Sequence, residues 1–511
     1  MKEILILVLI FGLNEATPLE DFVFDDTDLN VVRYDQVKIV KENFLSKYHI
    51  NLTTCSWFEK LGLLLDPNVP YWTHEMIINV PKNLNSSRPV FFFIDSGRLD
   101  QINQESEYEK RVTLLAINCK CITVIMKQVP NQPLQFATDP NRKEKMEDEL
   151  VAWTFHMYIF LKSYFPNDTF NYTPLQFPMT KSVKRGFDVL FDFLKSKDIQ
   201  FTEKIIVSGH GKRGWTAWLI GAIDDRVVGI IPINFDLLNW HKSFHSQYKS
   251  LGGGYSYAFR FYLIAGLSIF IDEVNIYQLG QLVDPYSYLH RYMNKNIYLI
   301  SSTSSEYSMV ENMRFFWNEL RIHSKHSFIR RVPNAGNDLE NQINRIFINI
   351  NNFLSLHSKH SVTERALPKF RWKFVNDKDT GQIWIHLSDL KMFQSYDVRG
   401  FFALSLSNRS IDFRNSYLDD KLEIKNRRIA WNSRLIARVK ISNSSTEFNH
   451  KFIVNRSDLN DKYMVFYVEV NLKLKNKSKG RHLVICTDVN RLPEYYPVGD
   501  CYERECLGKQ F

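Results

Sequence analysis

The sequence predicts an α/β fold, with a mostly parallel sheet covered by helices over residues 17–360 and a basic, β-sandwich-like domain over 366–511. Three features of the 511-residue chain predict it. Between residues 88 and 360, short, wholly apolar runs alternate with longer stretches of helical spacing, as expected for strands buried on both faces and joined by crossover helices. From about residue 368 the runs change to polar–apolar alternation, the pattern of half-buried strands. The charge divides near the same place: residues 361–511 carry 27 Lys+Arg against 18 Asp+Glu, whereas the first 360 residues hold 38 of each. A composition 44% hydrophobic and 14% aromatic excludes a disordered or fibrous chain.

In chain order, the apolar run Ile4–Phe11 is too short to span a bilayer and fits the central region of a secretory leader ending at Ala16. Glu3 offsets Lys2 and Asn14 is a poor residue near a cleavage point, so a buried N-terminal strand stays open as the alternative. Residues 17–87 are expected to extend the sheet. Buried strands are predicted at 90–94, 122–126, 205–207, 227–231, 297–300 and 328–329. Helices are predicted at 147–161, 181–194, 309–320 and 341–356. Gly252–Tyr257 reads as a loop, and Phe259–Phe270 as an apolar helix capping the sheet. A linker falls near 358–362. Half-buried strands follow at 370–375, 382–387, 401–406, 435–441 and 464–474.

Two features suit an extracellular chain. Asn-x-Ser/Thr acceptors occur at Asn51, Asn85, Asn167, Asn171, Asn408, Asn443, Asn455 and Asn476. The six cysteines (Cys55, Cys119, Cys121, Cys486, Cys501 and Cys506) are even in number and allow three bridges in 15 pairings. Cys501 and Cys506 are spaced to close a small loop, whereas Cys119 and Cys121 are expected to take distant partners. A zinc site is the rival reading of these cysteines, without a C-x-x-C pair to support it.

The most informative segment is Lys204-Ile-Ile-Val-Ser-Gly-His-Gly-Lys-Arg-Gly-Trp. A buried strand enters a Gly-rich turn and then a helix, which is where an α/β-hydrolase carries its nucleophile in G-x-S-x-G. A phosphate loop is excluded by the spacing and by the missing Ser/Thr after Lys212. Around this turn the chain resembles the PhoPQ-activated pathogenicity-related family, whose eukaryotic branch includes autocrine proliferation repressors. The resemblance rests on Tyr71-Trp-Thr-His-Glu-Met, Gln128-Val-Pro-Asn-Gln-Pro-Leu, Glu147-Asp-Glu-Leu-Val-Ala-Trp, Phe177-Pro-Met-Thr-Lys-Ser, Lys212-Arg-Gly-Trp-Thr-Ala-Trp, Asp236-Leu-Leu-Asn and Val283-Asp-Pro-Tyr-Ser-Tyr. It implies an α/β-hydrolase fold. It also implies a serine in Gly-Gly-Ser-Lys-Arg-Gly, an acid in Thr-Gly-Asp and a base in Pro-Asn-Ala-Asp-His. Here Gly211, Ser305 and Asn337 stand at those positions.

Serine hydrolysis needs a nucleophile, a base that takes its proton and a carboxylate that orients the base. Gly211 has no side chain, Asn337 accepts no proton near neutral pH and Ser305 has no charge, so a degenerate triad is expected. His210, Lys212 and Glu306 are candidates to line the old pocket, with His210 lacking a partner. Ser208 is expected at a buried strand end and Lys212 with Arg213 in structural ion pairs. His241 and His245, spaced i,i+4, lack an HExxH frame and read as ordinary histidines, as do the looser pairs among His323, His326, His357 and His360. No metal and no cofactor are expected. Lys473, Lys475, Lys477, Lys479 and Arg481 read either as lysines guarding an exposed sheet edge or as a patch for acidic glycans. Without a recognition motif, nucleic acid is not an expected partner. The chain is therefore expected to be a secreted, non-catalytic protein that acts by binding a cell-surface protein or acidic glycan; restraint of proliferation is what the resemblance implies. The alternatives are a hydrolase with a relocated site and a glycan- or surface-binding protein.

Overall fold

The computed structural model describes residues 16–58, 71–101, 105–165, 170–357, 367–442, 447–475 and 481–511. The leader expected at 1–16 (save Ala16), the linker, Asn167, Asn443, Asn476, Lys477, Lys479 and His360 lie outside the described residues.

Strands β1 (Arg33–Lys41), β2 (Leu45–Ser56) and β3 (Tyr71–Pro81) form an antiparallel meander. It joins a parallel core made of β4 (Val90–Ile94), β5 (Thr123–Met126), β6 (Ile205–His210) and β7 (Val227–Ile233). After the two-residue β8 (Gly254–Tyr255), β9 (Asn296–Ser302) and β10 (His326–Val332) complete the parallel set. Along the sheet the order is β1-β2-β3-β5-β4-β6-β7-β9-β10. The exchange of β5 and β4, with an antiparallel strand beside them, is α/β-hydrolase topology.

The apolar runs were legible because these strands are buried on both faces; every residue of β4, β5 and β9 is buried. Alternate residues enter two separate cores. Phe92 and Ile94 face one, covered by the helix Gln176–Ser196, while Phe91 and Phe93 face the other. In chain order the helices are α1 (Pro18–Phe24), α2 (Glu107–Cys119), α3 (Glu147–Tyr164), α4 (Gln176–Ser196), α5 (Lys212–Ile223), α6 (Trp240–Ser250), α7 (Arg260–Ile264), α8 (Val274–Val283), α9 (Trp317–His323) and α10 (Ile343–His357). Helices α2 and α10 cover the Phe91 face. Ser106 caps α2 by accepting the Glu109 amide at 3.0 Å, and Lys120 at φ 54° ends it.

The C-terminal strands are β-rich, as expected, and they continue the main sheet. They are β11 (Lys369–Asn376), β12 (Thr380–Ser388), β13 (Phe393–Leu404), β14 (Ser416–Leu418), β15 (Ile424–Asn426), β16 (Asn432–Lys440), β17 (Glu447–Asn455), β18 (Met464–Leu474), β19 (His482–Cys486), β20 (Asn490–Leu492) and β21 (Lys509–Gln510). From β10 the order runs on through β19, β18, β13 and β16, with Ile329 opposite Cys486 at the junction. A second sheet, β11-β12-β17, shares the core below it: Ile383, Ile385 and Phe452 pack with Phe466 and Val468. This pairing covers the free edge that β10 would otherwise offer.

Four expectations are corrected. Cys119 is bonded to Cys121, because Lys120 turns the chain back and brings the two Cα atoms to 5.3 Å. Cys501 does pair with Cys506, but Cys55 and Cys486 are free, buried thiols on β2 and β19, eight strand positions apart in the sheet. At roughly 4.8 Å per strand no bridge can join them. Residues 309–320 are not one helix: a 3-10 turn at Asn312–Phe315 precedes α9, because Glu311 is drawn inward to Arg491 (2.5 Å) and Asn312 to the Asp236 carbonyl (2.6 Å). The apolar stretch 259–270 holds only the five-residue α7, which closes at Gly266. Among the described residues no helix is long and apolar enough to cross a membrane.

Candidate functional site

The strand-turn-helix keeps the form of a nucleophile elbow. Ser208 is buried near the end of β6, donating its hydroxyl to the Ile231 carbonyl at 2.7 Å. Gly209 must be glycine, since a Cβ there would lie 2.5 Å from the Arg213 backbone. Gly211 follows at φ 56°, ψ −122°, a strained region for any residue with a side chain, and its amide is fixed to the Ile233 carbonyl at 2.8 Å. A Cβ on Gly211 would meet no atom within 4 Å. The position where the nucleophile belongs opens onto an apolar cavity of about 100 Å³ whose walls include Phe155, Trp215, Phe235, Trp240, Phe244 and Phe259.

The ionised groups at the cavity pair with one another, whereas Trp240 Nε1, Ser268 Oγ and Asn337 Oδ1 are buried without a hydrogen-bond partner among the described residues. Asp148, at the start of α3, accepts from Lys212 Nζ (3.0 Å), Tyr307 Oη (2.7 Å) and Tyr262 Oη (3.1 Å). Lys212 also pairs with Glu147 at 3.1 Å, and the Arg213 guanidinium holds both oxygens of Glu147 at 2.6 and 2.9 Å. Burial works to raise the Glu147 carboxyl, but Arg213 and Lys212 hold it well below the usual carboxylate range. These are the structural ion pairs expected of Lys212 and Arg213. Sequence reading did not single out Asp148, Asp236, Tyr262 or Tyr307, although Asp148 and Asp236 fall within segments that carry the resemblance. Asp236 is buried at the cavity and accepts from Ser301 Oγ at 2.7 Å.

At the two other positions marked by the resemblance stand a hydroxyl and an amide, with no carboxylate or imidazole. Ser305 is buried, and its Oγ accepts the Tyr307 amide at 3.2 Å. Asn337 borders the cavity, and its backbone carbonyl accepts from His210 Nε2 and Asn234 Nδ2, each at 2.7 Å. His210 was expected in the pocket without a partner, and both points are corrected. The turn at Asn337 captures its ring, which lies 5.8 Å from the Tyr108 ring and is absent from the cavity wall. Because Nε2 faces a carbonyl, it must carry a proton and cannot accept one. Burial, with Lys212 and Arg213 nearby, lowers the His210 pKa to about 4, so the ring is neutral near pH 7. Glu306 lines an adjacent open polar cleft instead of the apolar cavity, with Oε2 accepting the Asn337 amide at 3.0 Å.

The other candidates lie elsewhere. Asn51, Asn85, Asn408 and Asn455 are exposed. Asn171 is buried beside Lys162 Nζ (3.4 Å), with no room for a glycan in the folded chain. Lys473 and Lys475 are exposed and Arg481 is partly exposed. The edge-guarding reading fails for Lys473, because β18 lies between β19 and β13 inside the sheet.

A family model for "PhoPQ-activated pathogenicity-related protein" matches residues 19–414. Autocrine proliferation repressor protein A of Dictyostelium discoideum is 28% identical over 420 residues, 81% of this chain and 80% of that one. Among solved structures, acetyl xylan esterase 1 from Thermoanaerobacterium sp. JW/SL YS485 is similar at 9% identity and TM-score 0.42, over 67% of this chain and 92% of its own. The glucuronoyl esterase from Solibacter usitatus is similar at 11% identity and TM-score 0.39, over 64% and 86%. With its family-wide match along most of its length, the chain belongs to the PhoPQ-activated pathogenicity-related protein family.

Proposed function

We propose that this protein is a secreted, non-catalytic member of its family that acts by binding, and that the cavity at Gly211 holds a compact apolar ligand. The observation that carries this reading is Gly211 itself: an elbow of nucleophile geometry whose missing side chain leaves open space beside an aromatic-walled cavity. A largely apolar cavity of this size suits a molecule of benzene-like bulk. The name of the Dictyostelium relative, an autocrine proliferation repressor, supports a signal that restrains proliferation; the partner proposed for it is a cell-surface protein or an acidic glycan.

The test uses the purified full-length chain with a fluorophosphonate serine-hydrolase probe and, separately, with an apolar environment-sensitive dye. No covalent labelling is expected, while the dye is bound and is displaced when Leu279→Trp fills the cavity, whose wall includes Leu279. Stoichiometric labelling would establish a relocated nucleophile and end the non-catalytic reading. Dye binding unchanged in the filled variant would end the cavity reading.

A further inference from the structure

Away from Gly211, α6 carries two histidines one turn apart, with ring centroids 4.5 Å from each other. Both direct Nε2 at the same oxygen, Oδ1 of Asp272, at 2.9 Å from His241 and 3.0 Å from His245. The three ligand atoms lie within 4.8 Å of one another. On its far side His245 meets a second carboxylate, with Nδ1 2.7 Å from Oδ1 of Asp500.

Counting protons makes this arrangement informative. A neutral imidazole has one N–H, yet His245 faces a carboxylate oxygen at each nitrogen. If the single N–H of a neutral ring is donated to Asp500, Nε2 turns a lone pair toward Asp272, and either a second proton or a cation must offset the repulsion of two lone pairs 3.0 Å apart. A cation held between them converts that repulsion into two bonds. Asp500 then fixes the tautomer and ring orientation, as an outer carboxylate does for metal-bound histidine. The charge of Asp500 is already met by Lys249 at 2.7 Å. Asp272, by contrast, has only the two imidazoles as ion-pair partners among the described residues.

We propose that His241, His245 and Asp272 form a binding site for a divalent transition metal of the zinc class, with Asp500 as the positioning residue for His245. Two imidazoles and one carboxylate supply three ligands and leave a fourth position to water. The ion would tie α6 to the segment ending at Asp272 and, through Asp500, to the C-terminal loop. Helix α6 presents Trp240 and Phe244 to the apolar cavity, and Ile271 lines it beside Asp272. The metal would thus brace two parts of the cavity wall. The proposal stands whether or not the cavity binds a ligand.

The bonded pair Cys501–Cys506 lies against His245 as well, and reduction would turn it into competing thiolate ligands. The test therefore uses the oxidised full-length chain, stripped with EDTA and dialysed against Zn²⁺ or Co²⁺. One Zn²⁺ per chain is expected, with a higher melting temperature, and a Co²⁺ spectrum lacking a thiolate charge-transfer band. The His241 side chain is 58% exposed, so His241→Ala leaves the fold intact while weakening binding at least tenfold. Asp272→Asn should do the same, and Asp500→Asn should weaken binding about tenfold through the His245 ring. Absence of stoichiometric binding, equal affinity in His241→Ala and Asp272→Asn, or binding that appears only after reduction with a thiolate band would each overturn the proposal.

Discussion

Replacing Gly211 with serine puts the missing atom back and measures what the elbow costs. At φ 56° and ψ −122° a side-chain-bearing residue is strained by roughly 1–3 kcal/mol. Removing glycine restricts the unfolded chain and returns about 0.4–1 kcal/mol. No steric penalty is added, because the new Cβ has no neighbour within 4 Å. The net loss is about 1–2 kcal/mol. With an unfolding entropy near 2.1 cal/mol/K per residue, a chain of 511 residues should melt roughly 1–2 °C lower. Paired melts of the wild type, Gly211→Ala and Gly211→Ser check this by calorimetry or fluorescence. The two variants should coincide, since the serine hydroxyl finds no base: Asn337 is an amide, and the His210 Nε2 proton is held by the Asn337 carbonyl. Ester hydrolysis by Gly211→Ser should not exceed that of Gly211→Ala. A serine variant that melts above the alanine variant, or turns over ester substrates, would show that a working base remains and refute the argument.

Two further predictions concern buried titratable groups. His74 is buried, with Nδ1 against the Lys127 carbonyl at 3.0 Å, and burial pushes its pKa down to about 4. The folded value lies below the unfolded one near 6.5, so the unfolded chain takes up its proton first. Stability is complete above about pH 6.5 and falls as pH drops toward 4, by about 3 kcal/mol for His74, with a smaller share from the half-buried His210. Melting temperature against pH should show this slope, and His74→Gln should flatten it; an equal slope in the variant would exclude His74 as the cause. The free thiols of Cys55 and Cys486 are pushed up by burial to about 11 and about 12. Alkylation at pH 8 should leave both unmodified in the folded chain and label both in denaturant, and rapid native labelling of either would contradict its burial.

What was legible in the sequence follows from the range of the interactions involved. Val90–Ile94 announced a buried strand because both of its faces meet helices, which makes the signal local. The junction of β10 and β19 was not legible: Ile329 and Cys486 are far apart in sequence, and half-buried alternation looks the same in a separate sandwich as in an extension of the main sheet. Cys119 and Cys121 were misread because only the left-handed turn at Lys120 brings them together. Gly211, Ser305 and Asn337 were singled out only through the resemblance, since each sits in a short motif. The His241–His245 pair was visible as helical spacing, but Asp272 and Asp500 reach it only through the tertiary fold, so the pair read as ordinary histidines.

The supports of the elbow do not depend on a nucleophile. Lys212 and Arg213 anchor the start of α5 to Glu147 and Asp148 on α3, and Tyr307 closes the same network from the loop after β9. Trp215 packs on Phe235 at 4.9 Å and donates its indole N–H to the Val283 carbonyl, so one side chain serves both the core and the cavity wall. Removing the serine hydroxyl, the carboxylate and the imidazole leaves each of these contacts in place. Without a nucleophile, what stands at Gly211 is an aromatic-walled pocket of about 100 Å³ bordered by those same contacts, and it is this pocket that the proposed binding role uses.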